Sequence, residues 1–93
     1  MLERDEAEGR AAQFLAEQSR DWGQSSNVRI ISEYCLVDRG QLIAPYDHVE
    51  YLDHGVEDMQ LGGNLPIAVD LSTGVCRFID WDEAHDLMER GLL

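Results

Sequence analysis

The clearest local pattern in this chain is the stretch Leu61-Gly-Gly-Asn-Leu-Pro-Ile-Ala-Val-Asp-Leu-Ser-Thr-Gly74, followed by Val75-Cys-Arg-Phe-Ile79. Glycines and an asparagine open it, and two short apolar runs are then separated by a polar turn that ends in glycine. Turn residues between two such runs are typical of a β-hairpin. The stretch therefore predicts a turn at residues 62–64 and strands over 66–70 and 75–79. It contains neither a nucleophile–base pair nor a metal-ligand spacing.

The residues before this hairpin predict a helix and two further strands. Apolar residues recur at helical spacing over residues 2–21, while the first turns are rich in acid, which suits a helix N-terminus. High β-branched and aromatic content predicts a strand over residues 28–37, joined through a connection of about three residues to a second strand over 41–46. Pro45 favours an edge or a bulge in that second strand. A short irregular or helical piece should follow.

The residues after the hairpin predict a final helix of about ten residues. Asp80-Trp-Asp-Glu83 has the form of a capping box, and Gly91 suits a helix stop. One face of this helix should carry its apolar residues Trp81, Ala84, Leu87 and Met88. The complete order, α-β-β-β-β-α, predicts a single α+β domain over residues 1–93, with an antiparallel sheet of about four strands covered on one face by helix.

Charge is the strongest signal in the composition. Nineteen Asp and Glu residues oppose seven Arg residues, and no Lys is present, which gives a net charge of −12. Such a field repels nucleic acid and anionic lipid and accelerates encounter with a basic partner. The alternative is that the acids only keep a small protein soluble. Apolar runs fall far short of the roughly 20 residues that span a bilayer, and no secretion signal is visible, so we predict a cytoplasmic protein.

The cysteines and histidines predict no reactive or metal site. Cys35 and Cys76 lie in apolar strand-like stretches, as buried small residues do in a reducing compartment; a disulfide between neighbouring strands is the alternative. His48, His54 and His85 have no spacing that makes ligands converge on a metal ion, so we predict that they are incidental surface residues. We therefore predict no catalytic residue, no metal site and no cofactor.

A cluster of acidic and aromatic residues is the best candidate for a binding surface. Acids would steer a basic partner and aromatics would anchor it. The alternative is that Tyr51 and Leu52 belong to the core and the acids form a solvated rim. The predicted partner-binding residues are Tyr46, Asp47, His48, Glu50, Asp53, Glu57 and Asp58.

The segment from Tyr46 to Gly74 resembles the YrhB-domain family, also called immunity protein 35. Members share a Y-L-x-x-G piece followed by L-x-G-N-x-P-I-x-V-D-x-x-T-G. This chain has Tyr51-Leu-Asp-His-Gly55 and then Leu61-Gly-Gly-Asn-Leu-Pro-Ile-Ala-Val-Asp-Leu-Ser-Thr-Gly74. The resemblance covers about a third of the chain by motif and the remainder only by layout. Its motif residues form turns and strands, so it transfers architecture and no catalytic residue.

The resemblance implies a small bacterial protein that neutralises a cognate toxin by stoichiometric binding. A second function that it allows is that of a heat-stable, chaperone-like protein without a single partner. A small enzyme is the third class. The sequence determines neither the toxin nor the oligomeric state.

Overall fold

The computed structural model describes residues 1–61 and 64–93, and all of their side chains apart from those of residues 24 and 25. The predicted turn at residues 62–64 thus lies largely outside the described residues. The described elements are α1 (Arg4–Gln18), β1 (Val28–Ile30), β2 (Leu36–Asp38), β3 (Gln41–Ala44), β4 (Tyr46–His48), α2 (Val49–His54), β5 (Ile67–Asp70), β6 (Cys76–Phe78) and α3 (Trp81–Glu89).

The predicted α+β class and the 66–79 hairpin are confirmed. Strands β2, β3, β5 and β6 form an antiparallel sheet in the order β2-β3-β5-β6, while β1 and β4 pair separately. In the hairpin, Ile67 lies opposite Phe78 and Val69 opposite Cys76. The predicted first helix is confirmed over Arg4–Gln18, and its last turn tightens into a 3-10 turn at Ser19–Asp21.

Helices cover the four-stranded sheet on both faces, where the sequence predicted cover on one. Side chains of a strand alternate between the faces of its sheet. Leu42 and Val69 therefore pack in one core with Ala7, Ala11 and Leu15 of α1. Their neighbours in the chain form a second core with α3, made up of Ile43, Ala68, Ile79, Ala84 and Leu87. The central strands β3 and β5 are buried on both sides, which explains their unbroken apolar runs.

The strand predicted over residues 28–37 is interrupted by a bulge. It begins as β1, whose Ile30 lies opposite Tyr46, and it resumes as β2, whose Leu36 lies opposite Ile43. Between these two pairs, residues 31–35 face only residues 44–45, and the surplus is taken up by a 3-10 turn at Ser32–Tyr34. Pro45 stands opposite this bulge, lacks an N–H for the ladder, and accepts a hydrogen bond from the N–H of Ile31 at 2.9 Å. The expected effect of Pro45 is thus confirmed.

The final helix has the predicted ends but a narrower buried face. The Asp80 carboxylate accepts from the N–H of Glu83 at 2.8 Å, and the Glu83 carboxylate accepts from the N–H of Asp80 at 3.2 Å. At the other end Gly91 adopts a positive φ of 76°. Of the predicted apolar face, Ala84 and Leu87 are buried, whereas Trp81 and Met88 are about half exposed.

The two cysteines are free thiols near opposite edges of the sheet. Cys35 is buried next to β2, and Cys76 is half-buried in β6. Two strands separate β2 from β6, and at about 4.8 Å per step this spacing is too wide for a disulfide. Burial raises the pKa of the Cys35 thiol to about 11. This thiol is therefore protonated and unreactive at neutral pH.

Acid should weaken the fold through its arginine–carboxylate pairs. Hydrogen bonds from Arg77 hold the pKa of Glu83 at about 2, below the 4.5 of an unperturbed glutamate. Because the folded pKa is depressed, this stabilisation is complete above about pH 4.5 and is lost as the pH falls towards 2. We expect urea midpoints to fall over this range. Glu83→Gln should reduce the acid-induced drop of the urea midpoint, whereas Glu89→Gln should leave that drop unchanged. Equal slopes in both variants would contradict the assignment.

Replacing Arg39 should stabilise the turn between β2 and β3. Arg39 and Gly40 both have positive φ, 52° and 77°, so the connection is a two-residue type I′ turn and not the predicted three-residue one. The ion pairs of Arg39 are long, 3.8 and 3.9 Å, and exposed. Asn tolerates this backbone better, so Arg39→Asn should add about 0.5–1 kcal/mol to the free energy of unfolding in urea. Arg39→Ala removes the same charge without that preference and should bring no gain.

Candidate functional site

The predicted binding surface runs from β4 through α2 to a 3-10 turn at Glu57–Met59. His48 caps α2, since its Nδ1 accepts a hydrogen bond from the N–H of Glu50 at 3.1 Å. Gly55 ends the helix with φ of 68°, and its N–H donates to the carbonyl of Tyr51 at 3.1 Å. A six-residue helix is too short to be stable alone. These two contacts therefore determine where its acidic side chains lie.

Three of the seven predicted binding residues are buried and do not form an accessible surface. Tyr46, Asp47 and His48 are only 5%, 7% and 3% exposed. The ring of Tyr46 packs 6.1 Å from the rings of both Trp22 and Phe78, and burial raises the pKa of its phenol. Its carbonyl accepts a hydrogen bond from the Asn64 side chain at 2.9 Å. Tyr46 thus belongs to the core and its assignment to the binding surface is wrong, whereas Tyr51 and Leu52, which the alternative interpretation placed in the core, are only half-buried.

Asp47 holds the backbone of the site together. Its Oδ1 accepts from the N–H of His48 at 2.7 Å and from the N–H of Leu61 at 2.8 Å. A buried carboxylate needs such donors, because without them burying its charge is costly. The contact fastens β4 to the segment that follows the 3-10 turn at Glu57–Met59. Asp47 therefore positions the acidic segment and is not itself available for contact.

The other four predicted residues differ in how much free charge they present. Asp53 is exposed but paired with Arg29, whose Nη2 and Nε lie 2.7 and 3.3 Å from its carboxylate, and this pair lowers the pKa of Asp53. Glu50 is half-buried. Glu57 and Asp58 are exposed, and neither forms an ion pair within residues 1–61 and 64–93. The uncompensated charge of this segment thus concentrates at the 3-10 turn.

A groove of about 480 Å³ lies between this segment and the bulge at residues 31–35. We call it the acidic groove. Ile31, Tyr51 and Leu52 supply its apolar lining, and Glu33 and Glu57 supply exposed carboxylates. Asp47 also borders it, but its carboxylate is engaged by backbone N–H groups. A concave site with apolar walls and a few acids suits the aliphatic stem and charged head of Arg or Lys. Its chemistry favours binding of a cationic side chain.

Sequence reasoning missed Glu33 and Tyr34. Tyr34 is 67% exposed on the bulge, beside the acidic groove. Both residues fell inside a strand predicted to be continuous, so no feature of their own pointed to a binding site. The one available signal was the polar pair Ser32-Glu33 within an otherwise apolar run.

The histidines are placed differently from the prediction, which took all three as surface residues. His54 and His85 are exposed, whereas His48 is buried at the cap of α2. No group of three or more His, Cys, Asp or Glu side chains that could hold a metal ion occurs among the described residues. Over the same residues, no helix is long and apolar enough to cross a membrane.

Comparison with known proteins finds no relative whose binding site could be compared with this one. No family model, curated protein or solved structure matches the chain. The site has therefore to be interpreted from its own contacts and charges.

Removing the Asp47 carboxylate should destabilise the fold. In Asp47→Ala one buried and one partly buried backbone N–H group lose their acceptor, which should cost about 1–3 kcal/mol in the free energy of unfolding. Asp58→Ala removes an equal charge from the exposed turn and should stay within about 0.5 kcal/mol of the parent protein. Urea denaturation of both variants measures the difference. Equal values would show that Asp47 does not hold the segment.

Proposed function

We propose that this protein is an immunity protein that neutralises a basic bacterial toxin by binding it stoichiometrically. The observation that carries the proposal is the acidic groove, where uncompensated carboxylates meet apolar walls beside the exposed ring of Tyr34. The resemblance of residues 46–74 to the immunity protein 35 family supports the choice of a toxin as partner. The proposed mechanism is coverage of the toxin's active site or substrate groove.

The distribution of charge supports a basic partner. A net charge of −12 is spread over 5740 Å² of accessible surface. A typical partner footprint of about 800 Å² would take roughly one seventh of that area. Arg77 and Arg90 are engaged in ion pairs with Glu83 and Asp38, none of which lines the acidic groove. Arg29 is paired with Asp53, although its charge also reaches Glu33. Such a field raises the rate of encounter with a positively charged protein. A basic nuclease is the toxin class that this charge fits best.

The compartment that fits this proposal is the cytoplasm. A toxin that acts inside the cell has to be bound there. The two free cysteines also suit a reducing compartment. A pull-down from the native cells with the tagged chain tests the proposal. One protein recovered in equal amounts, whose activity the chain abolishes in a purified assay, is the expected result. Recovery of no stoichiometric partner would refute it.

A chaperone-like function is the second candidate, and exposed apolar side chains favour it. Tyr34, Val37 and Val75 are all more than half exposed, and surfaces of this kind bind unfolded clients. The two candidates differ in a direct measurement. A chaperone-like protein should suppress aggregation of unrelated denatured proteins, whereas an immunity protein should not.

Reversing the free charges of the acidic segment should slow association with the toxin. We expect Glu57→Lys with Asp58→Lys to lower the association rate about tenfold at low salt and to weaken its salt dependence, because both carboxylates lie where the partner approaches. Asp53 is left unchanged, since its carboxylate is paired with Arg29.

The matched control places the same charge change on α3. Asp82→Lys with Glu89→Lys alters two exposed acids and should slow association much less, by about threefold or less. Stopped-flow or surface-plasmon measurements at several salt concentrations compare the two variants. Equal rate losses would show that only the overall charge matters and that the acidic groove is not the contact site.

A further inference from the structure

A second groove lies on the other side of Tyr34. It has a volume of about 490 Å³ and is mainly apolar, with Glu33 as its charged lining residue. Cys35, Leu36 and Pro45 form its floor, and Leu92 and Leu93, which follow α3, stand at its side. We call it the apolar groove. Its volume lies within the range of about 300–1,000 Å³ that ligand pockets occupy.

The end of α3 and the bulge together create this groove. The N–H of Leu92 donates to the carbonyl of Leu87 at 2.8 Å and that of Gly91 to Met88 at 3.0 Å, which is a Schellman motif. This turn carries Leu92 and Leu93 away from the helix axis towards β2, and both side chains stay about 40% exposed. Contiguous exposed apolar surface of this kind marks an interaction site more often than a free surface.

The 3-10 turn Ser32–Tyr34 forms a ridge between the two grooves. This ridge is held in place before any partner binds. Arg4 of α1 donates to the carbonyl of Cys35 at 2.6 Å, and the Ser32 hydroxyl donates to the Glu8 carboxylate at 3.0 Å. Both ends of the 3-10 turn that carries Tyr34 are therefore fastened to α1. A preorganised anchor loses less conformational entropy on binding, and so more of its contact energy appears as affinity.

Charge decides which occupant fits. Glu33 and Tyr34 line both grooves. An occupant that crosses the ridge therefore meets mainly apolar walls on one side and a second exposed carboxylate, that of Glu57, on the other. A second copy of this chain would bring another charge of −12, and anionic lipid would be repelled in the same way. A basic protein segment meets both requirements. Its cation can also lie over the Tyr34 ring.

We infer that the partner's binding segment carries a large apolar side chain next to an Arg or Lys, with the apolar side chain inserted in the apolar groove and the cation in the acidic groove. The inference rests on the proposed function in taking the occupant to be a basic protein. Tyr34 is then the residue that both halves of the segment touch. Its removal should cost more affinity than the loss of an exposed aromatic elsewhere.

The first test measures the dissociation constant of the recovered partner for four variants of the full chain. Tyr34→Ala removes the side chain on the ridge, and Leu93→Ala removes one from the wall of the apolar groove. The controls Trp81→Ala and Val75→Ala remove exposed apolar side chains that line neither groove. We expect Tyr34→Ala to weaken binding about tenfold or more, mainly through faster dissociation, and Leu93→Ala to weaken it severalfold. The controls should stay within about twofold. A partner that binds all four variants equally would overturn the inference and leave the proposed function intact.

The second test uses short peptides in place of the partner. Its result therefore bears on the two grooves alone and does not depend on whether the partner is a toxin. The ¹⁵N-labelled chain is titrated with the peptide acetyl-Gly-Arg-Phe-Arg-Gly-amide and, separately, with acetyl-Gly-Glu-Phe-Glu-Gly-amide. We expect saturable amide shifts at residues 33–36 and 92–93 with the basic peptide only. Shifts confined to residues 57–58, or equal shifts with both peptides, would overturn the inference. A dimer in analytical ultracentrifugation that Tyr34→Ala converts to a monomer would also overturn it, since a second copy would then fill the groove.

Discussion

The bulge at residues 31–35 is the constraint on which both candidate binding grooves depend. Five residues of one strand face two of the other, and Pro45 cannot supply the N–H that a regular ladder would need there. The surplus residues leave the ladder as a 3-10 turn and raise Tyr34 above the surface. A regular hairpin over 28–48 would have no ridge at this point. Neither groove would then exist.

The unpaired acidic charge of the surface depends on which acids form ion pairs with the arginines. Arg90 joins α3 to Asp38 at the end of β2, Arg77 joins β6 to Glu83 in the capping box, and Arg29 joins β1 to Asp53 in α2. Arg90 and Arg29 connect elements that are distant in sequence, whereas Arg77 connects two consecutive elements. Exposed pairs of this kind contribute little stability individually. Their larger effect is to leave the remaining acids, Glu57 and Asp58 among them, without local compensation.

Tyr46, Asp47 and Asn64 mainly support the surface beside them. Tyr46 fills the aromatic core, Asp47 fastens the backbone near Leu61, and Asn64 holds the carbonyl of Tyr46. These contacts fix α2 and the turn after it against the bulge. The acids that face solvent lie on this support, and the exposed ring lies on the bulge opposite. Both grooves therefore combine residues from segments that are remote in the chain.

The sequence alone determined the α+β class, the hairpin of β5 and β6, the first helix and both ends of the last helix. These features arise from interactions between near neighbours: turn residues between short apolar runs, the helical spacing of apolar residues, and the reciprocal hydrogen bonds of Asp80 and Glu83. The acid-rich segment after β4 was also visible in this way. Only the tertiary structure decided that helices cover both faces of the sheet, that Tyr46, Asp47 and His48 are buried, and that Glu33 and Tyr34 join the site. Burial and groove formation depend on which remote segments meet. Pro45 indicated a bulge, but the register shift of three residues opposite it follows from how β1 pairs with β4 and β2 with β3.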